Sequence, residues 1–366
     1  RLTDVTGVQT CALPISRLFA NNAGQLSYRT SDPAPDDLKE IPVMLVKGSD
    51  GIFNEGDYLL FYGQATHRWT YNKTAGRYDF IRHNYSDTAY YFITSGNTPG
   101  KYISAATAST GEPDHYSSES DLLYIHELEN ENIIKSGREW YQPVSPVAKI
   151  DIKPGFTDLV SGEAVKYRLR VLARAPSVSE FSLLEGDTPL KTILVQDVNM
   201  YNYTGTYAEI TDSSGFIIPS SATPVFKIGF RNEKDPGAKG WLDFVSLHAR
   251  KHNIFTGNTL FVSDSRVFGQ GILTEYSIKS PDKNPMVWDI TDPANPRNIL
   301  WSRNGENILF RAYSDSLRKF VIFSETNFIK PSFVRGAVAN QDLHASEPAG
   351  MVIVTHPLFK NYAQQL

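Results

Sequence analysis

Between Val165 and Arg174 the sequence reads VKYRLRVLAR. In an extended chain Val165, Tyr167, Leu169, Val171 and Ala173 fall on one side. Lys166, Arg168, Arg170 and Arg174 fall on the other. A repeat of two cannot serve a helix, whose stripe returns every 3.6 residues or so, but it is what a strand with one buried and one wet face requires. The same alternation returns twice. Phe226, Ile228 and Phe230 interleave with Lys227, Gly229 and Arg231, and Val245, Leu247 and Ala249 interleave with Ser246, His248 and Arg250. Antiparallel sheets with one solvated face read this way. Tyr58–Tyr62, Tyr90–Ile93 and Phe320–Phe323 are apolar on both faces, which predicts central strands.

Turn dipeptides separate the runs: Asp50-Gly51, Glu55-Gly56, Pro99-Gly100, Glu185-Gly186, Asp235-Pro236-Gly237 and Asn304-Gly305. Short strands punctuated this often argue for sandwiches rather than βαβ units. The 39 Tyr and Phe residues among 366 suit strands as well. The fold class expected is mainly β, with two antiparallel β-sandwich-like domains. Helix is expected only in short segments such as 120–137. Gln142-Pro143-Val144-Ser145-Pro146 reads as a linker, because two prolines fit poorly into a central strand, and 330–348 reads as a second one. The domains are therefore set at 17–142 and at 143–335, the latter favoured as one sandwich over a split at His252-Asn253.

Residues 336–366 change character. Met351–Thr355 is a continuous β-branched run, the mark of a strand buried on both faces. Pro357 suits the first turn of a helix, and Leu358, Phe359, Tyr362, Ala363 and Leu366 follow at helical spacing. The expectation is the first strand and helix of a truncated α/β domain.

At the other end, Val5–Ile15 reads VTGVQTCALPI, which resembles a translated sequencing adapter, so residues 1–16 are set apart from the fold. Cys11 lies inside that string and is the single cysteine of the chain. The rest of the sequence offers no disulfide, thiolate zinc site or thiol nucleophile. A net charge of −4 gives no reason to expect a nucleic-acid partner, and no apolar run is long enough for a membrane helix.

Motifs that carry chemistry are sparse. His126-Glu127-Leu128-Glu129-Asn130 begins like a zinc-hydrolase helix but has Asn130 where the second histidine belongs, and a solvated acidic segment explains it. Asp50, Asn54, Glu55 and Asp57 have oxygen ligands for calcium, yet not in the twelve-residue loop pattern; a hairpin turn explains them. Phe268-Gly269-Gln270-Gly271 is a lone GxG, better read as a turn. His344 and His356 have no cysteine or activated serine beside them. Trp69, Tyr71, Tyr78 and Phe80 suit a sugar platform or, more simply, a core. No catalytic, cofactor-binding or metal-binding residue is assigned.

Six phrases, in order, carry a family resemblance. They are Gly56–Gln64 with His67-Arg68-Trp69, Tyr85–Phe92, Ser136–Tyr141, Val287–Pro293 and Ala349–Pro357. Together they resemble the type IX secretion sortases of the gingipain family of cysteine peptidases. The resemblance implies a full-length peptidase in which a cysteine nucleophile and a histidine base cleave the C-terminal sorting signals of secreted cargo and anchor the cargo at the cell surface. It implies a cargo partner, an outer-membrane shuttle or barrel partner, and a catalytic cysteine and histidine lying beyond Leu366. It implies a secreted or outer-membrane surface location. A stand-alone secreted β-sandwich for adhesion or glycan binding is the alternative.

Overall fold

The alternating runs become paired strands in the computed structural model, which describes residues 16–366 apart from 22–23, 47–55, 108, 136, 203, 325–327, 333–336 and 339–344. The adapter-like string, Asp50, Asn54, Glu55 and His344 lie outside the described residues. The chain divides into two compact units, 1–329 and 330–366.

The first stretch of the larger unit contains β1 (Ser16–Ala20), β2 (Lys39–Ile41), β3 (Met44–Val46), β4 (Tyr58–Leu60), β5 (Arg68–Asn72), β6 (Arg77–Ile81) and β7 (Phe92–Ser95). They form the sheet β2-β1-β7 and the hairpins β3-β4 and β5-β6. Ser16, placed in the excluded segment by sequence, is a strand residue opposite Ser95. The chain continues through β8 (His115–Ser117), β9 (Glu119–Glu127) and β10 (Gln142–Val144). Next come β11 (Ile150–Ile152), β12 (Val165–Arg174), β13 (Ser179–Glu185), β14 (Thr188–Val195), β15 (Glu209–Ile217), β16 (Phe226–Arg231) and β17 (Lys239–His252). The last group is β18 (Leu260–Val262), β19 (Leu273–Lys279), β20 (Met286–Asp289), β21 (Arg297–Asn298), β22 (Ser302–Asn304), β23 (Asn307–Tyr313) and β24 (Phe320–Phe323).

Two sandwiches result. In the first, the sheet β10-β17-β12-β15, with β9 also on β17, faces β11-β16-β13-β14. Leu169, Val171, Phe181, Ile228 and Val245 are wholly buried between them, each contributing about 1.5–3 kcal/mol of apolar burial. Close approach fixes Gly240: a Cβ there would stand 2.6 Å from the Phe230 ring. In the second sandwich β18-β24-β20-β21 faces β22-β23-β19-β8. Its centre is three rings, Tyr276, Phe310 and Phe320, with centroids 4.8–5.3 Å apart. The chain is thus nearly all sheet, and antiparallel except for the parallel pair β8–β19 and isolated bridges.

Four local expectations are corrected. The segment 120–137 is not helical: its first part is β9, paired over nine residues with β17. Pro143 lies within a strand, on the sheet edge where its missing N–H is harmless. Because β8, β9 and β10 pair with β19 and β17, strand pairing crosses the expected break at residue 142. The stretch 143–335, favoured as one sandwich, holds two separate cores that part between Ala249 and Phe255.

Among the runs read as central strands, Phe320–Phe323 is buried throughout, and Tyr58–Leu60 forms a hairpin strand with Leu59 and Leu60 buried. In the third, Phe92 and Ile93 are exposed on the edge strand β7. In the smaller unit Pro357–Phe359 is a 3-10 turn leading into α1 (Lys360–Ala363). Met351–Thr355 is not a strand. No described strand pairs with it, and a strand buried on both faces exists only with such partners.

Candidate functional site

The side of β12 and β17 read as solvated is largely covered. The β5–β6 hairpin lies on it, with Arg168 3.8 Å from Asp79 and the Tyr78 hydroxyl donating to Asp121 at 2.9 Å. A β-bulge leaves Asp243 unpaired between Arg170–Phe244 and Val171–Leu242 and shifts the phase of β17, so that Trp241 joins Leu172, Tyr141 and Ala208 in a small outer core. Two charged features sit under this cover.

The first is a buried network around Asp121. Its Oδ1 accepts from Arg250 Nη1 at 2.7 Å and from the Ser265 hydroxyl at 2.9 Å, and lies 2.8 Å from His248 Nε2. Its Oδ2 accepts from the Ser265 backbone N–H at 2.8 Å. Arg250 Nη2 reaches Asp264 at 2.9 Å, and Asp264 accepts from the Ser117 hydroxyl. Burial alone would push the Asp121 carboxyl up. The His248 hydrogen bond and charge, the Arg250 charge and the Ser265 bond outweigh it and hold the group below its ordinary value. Burial and the adjacent Asp121 push the Tyr78 hydroxyl far up. The Tyr78, Ser117 and Ser265 hydroxyls each donate to a carboxylate, and the network ties β9, β17, the hairpin and the Ser263–Arg266 turn together.

The second is a cleft of about 740 Å³ between the outer sheet face, the hairpin and the 129–141 segment. Phe80, Trp140 and Phe244 form apolar walls; Asp79, Glu127, Glu129, Glu139 and Asp243 are its acids, against the arginines Arg82, Arg138 and Arg168. Burial, followed by repulsion from Asp243 and Glu129 and opposed by Arg82, raises Glu127 to about 7. Burial likewise raises Asp243 to about 6, against the pull of Arg170.

The residues singled out by sequence distribute as follows. Of the His126–Asn130 motif, Glu127 and Glu129 line the cleft; His126, on a strand, lies 2.8 Å from Gln142 Oε1. Phe268–Gly271 is a turn, with Gly271 at φ +74° and its N–H donating to Asp315. Trp69, Tyr71, Tyr78 and Phe80 pair across the hairpin, Trp69 with Phe80 and Tyr71 with Tyr78, each at 5.0 Å, and Tyr78 is buried. His356 caps the 3-10 turn by accepting from the Leu358 N–H. Asp57 directly precedes β4. Among the described residues no group of three metal-ligating side chains converges, and no helix is long and apolar enough to cross a membrane. Asp243 was not singled out by sequence. The bulge shifts its phase, and a bulge has no signature in this stretch.

Placed beside solved structures, the chain superimposes on dimeric latent PorU from Porphyromonas gingivalis with a TM-score of 0.76 at 20% identity, over 91% of this chain and 31% of that one. The fold is PorU-like. The chain spans about a third of that protein's length. An insecticidal delta-endotoxin from Bacillus thuringiensis and a cycloisomaltooligosaccharide glucanotransferase from Paenibacillus reach TM-scores of only 0.19 and 0.18, at 13% and 9% identity, over 64% and 62% of this chain and 52% and 48% of theirs. No family model and no curated protein matches the sequence. Both the cleft and the Asp121 network lie inside the larger compact unit.

Proposed function

We propose that this chain is the non-catalytic β scaffold of a surface cysteine endopeptidase or transpeptidase of the type IX sortase kind. The observation that carries the reading is the PorU-like fold across 91% of the chain, within a neighbour about three times as long. The ordered phrases from Gly56 to Pro357 support it independently of the coordinates. In this reading the sandwiches support a peptidase domain that supplies the cysteine and histidine. The whole protein removes C-terminal sorting signals from cargo and anchors the cargo at the outer-membrane surface, in contact with a membrane-embedded shuttle.

The test is disruption of the gene in its source organism. Cargo proteins are expected to keep their C-terminal signals and to be lost from the surface, as read by mass spectrometry of cell-surface and medium fractions. Normal trimming and anchoring in the disrupted strain rejects the reading and leaves the adhesion or glycan-binding module in its place.

A further inference from the structure

The cleft under the β5–β6 hairpin contains more negative charge than its own arginines satisfy. The Glu127 and Asp243 side chains are only 15% and 16% exposed. Arg82 stands 3.9 Å from Glu127 and 3.6 Å from Glu129, so one guanidinium serves two acids, both at more than hydrogen-bond length for Arg82. Arg170 stands 3.6 Å from Asp243 but gives its short hydrogen bonds, 3.2 and 3.1 Å, to Asp212. Removing carboxylates from water without close partners is costly, and an additional cation offsets that cost.

The walls say which kind of cation. The Phe244 ring already carries the Arg168 guanidinium at 5.1 Å, so this surface is shaped for planar cations over aromatic faces. Trp140 is 40% exposed at the same cleft, and among the described residues no ring or cation stacks on it. A bare metal ion does not fit, because the acids do not converge on one point. The volume of about 740 Å³ falls in the range of small-ligand sites and exceeds what a single side chain fills.

We propose that this cleft binds an arginine or lysine side chain carried by an extended peptide, with the cationic head between Glu127 and Asp243 and the stem against Trp140. Guanidinium is the better match, because a flat, weakly hydrated cation both stacks and forks onto carboxylates. The inference is independent of the peptidase reading and holds for an adhesion module equally.

Isothermal titration of the full chain at pH 8 and low salt decides it, since both acids are then ionised. Acetyl-Ala-Arg-Ala-amide is compared with the same peptide carrying citrulline, which keeps the shape and loses the charge. The arginine peptide is expected to bind at least tenfold more tightly. Glu127→Gln and Trp140→Ala should each weaken it at least fivefold, and the Glu127→Gln protein should melt no lower than the parent, which separates lost affinity from lost folding. Equal affinity for citrulline, no heat at millimolar peptide, or an unchanged Kd in both variants overturns the proposal. Binding of a neutral oligosaccharide that Trp140→Ala abolishes, without arginine binding, assigns the cleft to glycans instead.

Discussion

Glu127 illustrates how burying a single carboxyl makes stability depend on pH. Its folded pKa of about 7 lies above the ordinary 4.5 of a glutamate. Between those values the native chain holds a proton that the unfolded chain has released, so stability falls as pH rises through this window and is highest for this group below it. Because the side chain keeps some contact with water and Arg82, the penalty at high pH is on the order of 1 kcal/mol rather than the full shift. Glu127→Gln is therefore expected to raise the melting temperature by a few degrees at pH 8 and to change it little at pH 4.5. Calorimetry at the two pH values checks this; a variant less stable at pH 8 would show that Arg82 pairing outweighs burial. Nothing in the sequence around Glu127 announced the shift, since it depends first on burial in the folded cleft and then on Asp243, more than a hundred residues away.

At the scale of elements, legibility followed the number of covered faces. The sequence alternation of β12 and β16 was plain because their inner residues, such as Leu169 and Ile228, are buried while Lys166 and Lys227 on the other side stay partly open. Alternation fails when both faces are covered. In β9, Leu122 and Tyr124 pack on the first core, while the opposite face lies under the hairpin side, and Leu123 and Ile125 there are apolar too. The run therefore resembles a short helix as much as a strand. The edge strand β7 is the converse: Phe92 and Ile93 suggested burial but lie on an open edge. The Met351–Thr355 run had strand composition without a strand to pair with. Hydrogen exchange is expected to show its Val352–Val354 amides exchanging near the unprotected rate in the isolated chain, against strong protection in β12 and β17. Strong protection at Val352–Val354 would mean that they pair with a strand after all.

For the whole molecule, the Asp121 network is the joint between the sandwiches. It connects β9 and β17 of the first to the Ser263–Arg266 turn after β18 of the second. Asp121→Asn keeps the shape but leaves Arg250 and the Ser265 donors facing a weaker acceptor in a buried site, at a cost of about 3–5 kcal/mol. Thermal unfolding is expected to lose its single transition and to show the sandwiches melting separately, with the second, smaller core melting first. One undisturbed transition in the variant would show that the remaining contacts, the β8–β19 pairing among them, suffice to couple the sandwiches. The alternating patterns indicated the strands, but no local pattern foretold that Asp121, His248 and Asp264 would meet.

The parallel pairing of β8 with β19 has a consequence in time. Asp114 and Leu273, bonded at the start of that pairing, stand 159 residues apart, and only Ser118 separates β8 from β9. One short stretch of chain therefore belongs to both sandwiches and can dock fully only after β17 and β19 have been made. At roughly 5–20 residues per second of synthesis, that is a wait of about 8–30 s with a β-rich segment unpaired. The strand edges of β8 and β9 are therefore the last in this part of the chain to be covered, although they are made before the sandwiches they close.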